Sequence, residues 1–348
     1  ASIPRIPTTT IQNASSTLVV VNTVATTSAQ TPIIPVPKKV IPPAPKPTSK
    51  PAPTTPLQAT PISAPTSLPP SESASLDASA VTLRAALVNI ICYAPAGSGL
   101  RSISGSGVIV DPKGIILTNA HIAQNFLLAD RNVSCTIRAG SPAIDAYKAS
   151  LIYISPAWIQ ANANILTQTN PIGTGEYDFA FLAITKSATS AALPSSFPFI
   201  PLATAPPPIG TPVVIASYGA QFLESNQIQS FLFPTIVFGS VKDVFTFAAT
   251  TIDVLTLGGS AAAQEGSSGG GVADGNGKLV GTITTSTTNG STDTRKLDAI
   301  TASYIRAEYA SETGRALDLL LTEATSTSVA NFAPQIPALE SILTANLK

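Results

Sequence analysis

Between residues 87 and 286 the apolar positions fall in short runs separated by polar breaks. The runs include "LVNIICYA", "GSGVIVD", "GIILTN", "SCTIRAG", "ASLIYIS", "FAFLAIT", "TPVVIASYG", "IVFGSVKDVF", "TTIDVLTL" and "KLVGTITTST". Val, Ile, Thr and Phe dominate them, and Gly, Pro, Asn and Asp interrupt them every ~8 to 15 residues. Branched and aromatic side chains suit a pleated surface, and this spacing predicts an antiparallel β-barrel or sandwich rather than alternating βαβ units.

Helical spacing occurs at three places. "LDASAVTLRAA" predicts a short helix capped by Asp77 that leads into the first strand. A second helical stretch runs around Ala157 to Leu166, with Trp158 expected to pack beneath it. A third is "KLDAITASYIRAEYASETGRALDLLLTEA", beyond which Pro334 and Pro337 mark an expected tail. Upstream, the pattern disappears. Residues 1–30 are Ser/Thr-rich with one strand-like run, Ser16 to Thr27, and residues 31–72 carry proline so often that they read as an extended polyproline arm. The expected division is therefore 1–30, 31–72, a β-domain at 73–290 and a helical extension at 291–348.

Composition narrows the function. Hydrophobic residues make up 44% and charged residues 11% of the chain, yet no apolar run approaches the ~18 residues that cross a bilayer. Formal net charge is zero and no dense Lys/Arg patch occurs, which argues against nucleic-acid binding. The chain begins at Ala1 and contains no Met, from which we expect a removed secretory signal and an exported protein. Its two cysteines, Cys92 and Cys135, lack metal-ligand spacing and read either as one disulfide or as two buried thiols. No metal and no cofactor is expected.

Candidate chemistry gathers in three places. "EGSSGGGV", Glu265 to Val272, can turn backbone N–H groups around an exposed hydroxyl, although such clusters are more often plain turns. "GSGVIVDPKGIILTNAHIAQ" ends a strand beside His121, the only histidine in the chain. Asp178 lies in "GEYDFAFLAI", where a polar loop enters an apolar strand. Acyl transfer by serine needs a nucleophile, a base and a group that orients the base. Taken singly, His121 and Asp178 are more simply a role-less histidine and a solvated turn residue.

Together the three stretches, from about Leu87 to Ser286, resemble the core motifs of trypsin-like serine proteases, nearest to the HtrA (Deg) type. That type shows a G-S-G block ending in T-N-x-H, a D-x-A-x-L block and a G-N-S-G-G block. The resemblance implies a bacterial, exported endopeptidase with two six-stranded antiparallel barrels and an active site in the cleft between them. It also implies His121 as general base, Asp178 as its orienter and Ser268 as nucleophile, with the N–H groups of Gly266 and Ser268 as the oxyanion site. Ala262 would lie at the base of the primary specificity pocket and Ile283, Thr284 and Thr285 on its wall, favouring a neutral aliphatic residue before the scissile bond. Cys92 and Cys135 would both fall in the N-terminal barrel, consistent with a bridge.

Three departures from the pattern stand out. Ser267 replaces the usual Asn or Asp, so activation by insertion of a new N-terminus is not expected. Gly271 replaces a common Pro, and no PDZ module follows. Polypeptide is the expected substrate, and residues 1–70 are expected to mediate contacts in a homo-oligomer. A second reading, a structural or assembly subunit built on a protease fold, rests on that proline arm and its strand-like run.

Overall fold

The computed structural model describes residues 70–168, 173–247, 251–286 and 290–347. The proline arm and the strand-like run at Ser16 to Thr27 lie outside the described residues.

The first helix, α1, spans Pro70–Ala86 and buries Leu76, Leu83 and Ala86. Asp77 lies within it rather than capping it; the helix opens on Pro70, whose fixed φ suits a first turn. Six strands then close a barrel in the order β1-β2-β3-β6-β5-β4. They are β1 (Leu87–Tyr93), β2 (Ile103–Asp111), β3 (Ile115–Thr118), β4 (Ser134–Ala139), β5 (Ile144–Ile154) and β6 (Ala180–Ser187). The apolar runs identified above supply their cores: Ile90, Val108, Ile115, Ile116, Leu117, Ile137 and Phe181 are all fully or almost fully buried. Between strands lie α2 (Ala120–Ala123) and α3 (Pro156–Ala161), the latter carrying the buried Trp158.

A second sheet has seven segments in the order β8-β7-β11-β12-β13-β10-β9. These are β7 (Pro212–Ser217), β8 (Thr235–Ser240), β9 (Asp243–Phe245), β10 (Val254–Thr256), β11 (Gly271–Asp274), β12 (Leu279–Ser286) and β13 (Leu297–Thr301). The expected count of six is recovered once the two ends of this sheet are seen to be consecutive. β8 pairs with β7, β9 pairs with β10, and only Val241 and Lys242 separate them. At that bend Val241 donates to Thr211 on one side and Lys242 to Thr256 on the other, at 3.0 and 2.8 Å. The sheet is thus curled back on itself by one bent strand, the single run "IVFGSVKDVF".

A short helix, α4 (Ser225–Ser230), precedes β8, and four helices end the described chain: α5 (Ala302–Thr313), α6 (Leu317–Thr322), α7 (Thr325–Phe332) and α8 (Ile336–Thr344). Two expectations are corrected here. "KLDAIT" is strand, not helix: Leu297, Ala299 and Ile300 are buried between β12 and β10, so the second sheet runs past residue 290. Helix begins only where Thr301 caps α5, its hydroxyl accepting from the Tyr304 N–H at 3.0 Å. The expected tail is α8, whose Leu339 and Leu343 are buried. Proline at its first turn does not interrupt it, because that position needs no N–H donor.

α5 is fastened to the first barrel by an aromatic and acidic contact. The Tyr309 ring lies 4.8 Å from that of Tyr153, and Glu312 accepts from the Tyr153 hydroxyl and, at 2.7 Å, from Ser155. Burial and then the neighbouring Glu312 carboxylate push the Tyr153 phenol far above its ordinary pKa, so it stays protonated and donating. Among the described residues no helix is long and apolar enough to cross a membrane.

Cys92 and Cys135 are directly opposite on β1 and β4 and form a disulfide with a sequence separation of 43 residues. Closing a loop of that length stabilises by about 4 kcal/mol on the chain-entropy model. The double replacement Cys92→Ala with Cys135→Ala is expected to lose stability up to about that amount. Denaturant unfolding of the two proteins measures it; equal midpoints and slopes would show that the barrel holds this pair of strands without the bridge.

Candidate active site

Strand register brings the candidate base and acid together. Thr118, at the end of β3, is paired with Ala180, at the start of β6. The strands are antiparallel, so the residues just after Thr118 and just before Ala180 leave the barrel at the same end. Those residues include His121, on α2, and Asp178. The Asp178 carboxylate accepts from the His121 backbone N–H at 2.9 Å through Oδ1 and contacts the ring Nδ1 at 2.7 Å through Oδ2. Asn119 adds a bond from its side-chain amide to the Asp178 carbonyl at 2.9 Å.

Asp178 is almost enclosed, its side chain 7% exposed, whereas the His121 side chain is 28% exposed. A buried carboxylate needs compensating donors. Thr284 supplies the remaining one, its hydroxyl donating to Oδ2 at 2.7 Å. Thr284 thus turns its hydroxyl to Asp178. It sits at a register shift between Ile283 and Thr285, and such a bulge re-aims a side chain. Ala262 and Ile283 are fully or almost fully buried, and Thr285 pairs with Asp298 along β12 and β13.

With the carboxylate on Nδ1, that nitrogen carries the ring proton of neutral His121, and Nε2 is left as the acceptor. Burial pulls the ring's pKa down, but the Asp178 charge and hydrogen bond more than offset this and leave it above the ordinary histidine value. The turn holding Asp178 is braced from the far end of the chain: the Tyr304 hydroxyl, on α5, accepts from the Tyr177 N–H at 3.0 Å.

The glycine-rich loop belongs to the second sheet but is anchored on the first barrel. Ser106, on β2, donates its N–H to the Ser268 carbonyl and its hydroxyl to the Gly266 carbonyl, both at 2.8 Å. The same hydroxyl accepts from the Tyr218 N–H at 2.8 Å, and the Ser106 carbonyl accepts from Thr118 at 2.7 Å. Gly269 shows why the motif needs glycine: its φ is +83°, and a Cβ there would lie 2.0 Å from the Ser106 oxygen. The same close approach sets Gly269, next in the chain to Ser268, beside Thr118, the residue that leads into the His121 turn.

The two serines differ sharply. Ser267 is buried and accepts from Ser217 Oγ at 3.0 Å. Ser268 is half-buried, and its hydroxyl makes no hydrogen bond among the described residues. Nor do the N–H groups of Gly266 and Ser268 donate to any acceptor there, while the neighbouring Ser267 and Gly269 N–H groups are both taken, by Gln264 and Ile283. The arrangement holds an oriented imidazole, an unbonded hydroxyl and two unbonded amides, the equipment for adding a hydroxyl to a carbonyl and receiving the resulting oxyanion. Ser106 and the bond of Thr284 to Asp178 escaped the sequence reading, which placed Thr284 on the wall of a specificity pocket. The only signal for Ser106 was its place in the "GSG" that heads the histidine stretch, and for the Thr284 bond there was none.

The sequence model of the trypsin-like peptidase domain matches residues 105–281. Among solved structures, the chain is similar to the active form of the Rv3671c protease from M. tuberculosis, with 20% identity, coverage of 76% of this chain and 95% of that one, and a TM-score of 0.44. It is also similar to the serine endoprotease from Yersinia pestis, with 21% identity, coverage of 73% and 70%, and a TM-score of 0.44. No curated protein sequence matches it.

Because His121 is the chain's sole histidine, its imidazole signals are unambiguous in an NMR titration. The midpoint is expected above 6.5. In Asp178→Asn it should fall below that ordinary value, since burial then acts without a countercharge. A midpoint indifferent to the substitution would show that Asp178 does not govern the ring.

Proposed function

The chain belongs to the trypsin-like peptidase family, and from that premise we propose that it is an exported serine endopeptidase working through an acyl-enzyme. The observation that carries the reading is the His121–Asp178 pair, and it is supported by the half-buried Ser268 hydroxyl, which makes no hydrogen bond among the described residues.

In the first half-reaction Ser268 Oγ adds to the scissile carbonyl while His121 Nε2 takes its proton. Asp178 stabilises the imidazolium and keeps the ring from turning. The carbonyl oxygen, now negative, receives the N–H groups of Gly266 and Ser268. His121 then gives its proton to the departing amine and the C–N bond breaks, leaving an ester on Ser268. In the second half-reaction His121 deprotonates water, the hydroxide adds to the ester carbonyl, and collapse returns the proton to Ser268 Oγ with release of the new carboxylic acid. No metal or cofactor enters these steps.

The apolar Ala262 and Ile283 support a neutral, small-to-medium aliphatic side chain before the scissile bond, with basic residues poor substrates. Export is supported by the Cys92–Cys135 disulfide, a bond that persists in oxidising compartments.

A fluorophosphonate probe is expected to label the protein, Ser268→Ala to abolish labelling and lower peptide hydrolysis about a million-fold, and Ser267→Ala to remain labelled. Folded protein that takes no probe would exclude the reading. The pH dependence follows from the raised His121 pKa. Only the neutral ring accepts the Ser268 proton, so kcat/KM should fall as pH drops through a value above 6.5. A profile flat across that region would show that His121 is not the base.

A further inference from the structure

Arg295, just before β13, takes no part in the chemistry above, yet it is only 5% exposed. Among the described residues no carboxylate pairs with it. Instead its Nε–H donates to the Gly290 carbonyl at 3.0 Å, and Nη1 donates to Gln221 Oε1 at 2.6 Å and to the Ala263 carbonyl at 2.8 Å. The Phe222 ring covers it, with its centroid 5.7 Å from the guanidinium carbon. A buried guanidinium met by neutral oxygens from three separate stretches acts as a tie, because its fork fixes the direction of each acceptor.

Two of those stretches flank the oxyanion site. Ala263 begins the turn that leads to Gly266, and Gln221 follows Ala220, whose N–H donates to the Glu265 carbonyl at 2.8 Å. The Glu265–Gly266 peptide is trans, so its C=O and N–H point to opposite sides. Holding the carbonyl on Ala220 therefore turns the Gly266 N–H away from that loop, to the side where it meets no acceptor among the described residues. Gly266 takes this position at a φ of +88°, and a Cβ there would lie 2.7 Å from the Tyr218 oxygen. The freedom that glycine brings also lets the same peptide turn over unless something outside it prevents this.

We propose that Arg295 is that restraint. It is a positioning residue that ties the Gln221 loop to the Ala263 turn, keeps Ala220 on the Glu265 carbonyl, and so holds the Gly266 N–H where an oxyanion can use it. The proposal rests on the serine-peptidase reading.

The test compares the unsubstituted protein with Arg295→Met, Arg295→Lys and Gln221→Ala. Four quantities are read: kcat and KM on a peptide, inhibition by a peptide aldehyde, the His121 titration, and cooperative unfolding. Arg295→Met is expected to lower kcat about 100-fold, as loss of one oxyanion donor does, with KM little changed. Aldehyde affinity should fall in step with kcat/KM, because the hemiacetal it forms with Ser268 carries the same oxyanion. The His121 midpoint should not move, and Arg295→Lys should recover part of the rate. Gln221→Ala should act in the same direction and more weakly. Folded Arg295→Met with full kcat, or with its loss in KM alone, overturns the proposal. If Arg295→Met does not unfold cooperatively, Gln221→Ala decides, and full kcat in that protein overturns it equally. Failure of the unsubstituted protein to take a fluorophosphonate overturns the serine-peptidase reading and this proposal with it, whereas labelled protein with full kcat in Arg295→Met overturns this proposal alone.

Discussion

The site depends on the hydrogen bonds that Ser106 makes across the two halves of the fold. Its N–H and hydroxyl hold the carbonyls of Ser268 and Gly266, while its own carbonyl is held by Thr118 at the foot of the histidine turn. One residue of the first barrel thereby holds the glycine-rich loop and the strand end that leads into the His121 turn. Each contact is worth about 1 kcal/mol net, so the effect is not chiefly one of stability. Its consequence is geometric: the loop's carbonyls are engaged by the barrel, and the amides of Gly266 and Ser268 meet no acceptor among the described residues. The close approach of Gly269 to Ser106 follows from the same contact.

Asp178 presents the complementary case of a buried charge. Its carboxylate is met by the backbone and ring of His121 and by Thr284, donors that come from both sheets. A carboxylate so enclosed would be costly without them. The compensation explains how the ring can remain partly exposed, and available to a ligand, while staying fixed in direction. Burial and charge act against each other on the imidazole, and charge prevails.

Much of this was legible in the sequence because its chemistry constrains residue type. A lone histidine after a strand, an aspartate before one and a serine among glycines say little singly, but in that order they resemble the motifs of trypsin-like serine proteases, and the resemblance made them recognisable. Hydrogen-bond direction has no such signature. Thr284 reads, through the resemblance, as a pocket-wall residue, and nothing in its type announces the bond to Asp178 that it makes at a register shift. Arg295 belongs to none of the motifs that the sequence offers. The misreading of "KLDAIT" arose because its apolar spacing suits helix and fully buried strand alike, and pairing with β12 and β10 decided between them. The seven segments of the second sheet have a similar origin, since a bend within a continuous apolar run leaves no mark on composition.

The brace between Tyr304 and Tyr177 has a consequence for the order in which the molecule is completed. His121 and Asp178 leave the ribosome well before Tyr304 does, and Thr284 and Arg295 also come late. A partly synthesised or partly threaded chain thus has its imidazole and carboxylate but lacks the brace on the aspartate turn, the hydroxyl that shares the carboxylate, and β13 to complete the second sheet. The geometry around the imidazole and carboxylate therefore waits on residues that are synthesised more than a hundred positions later.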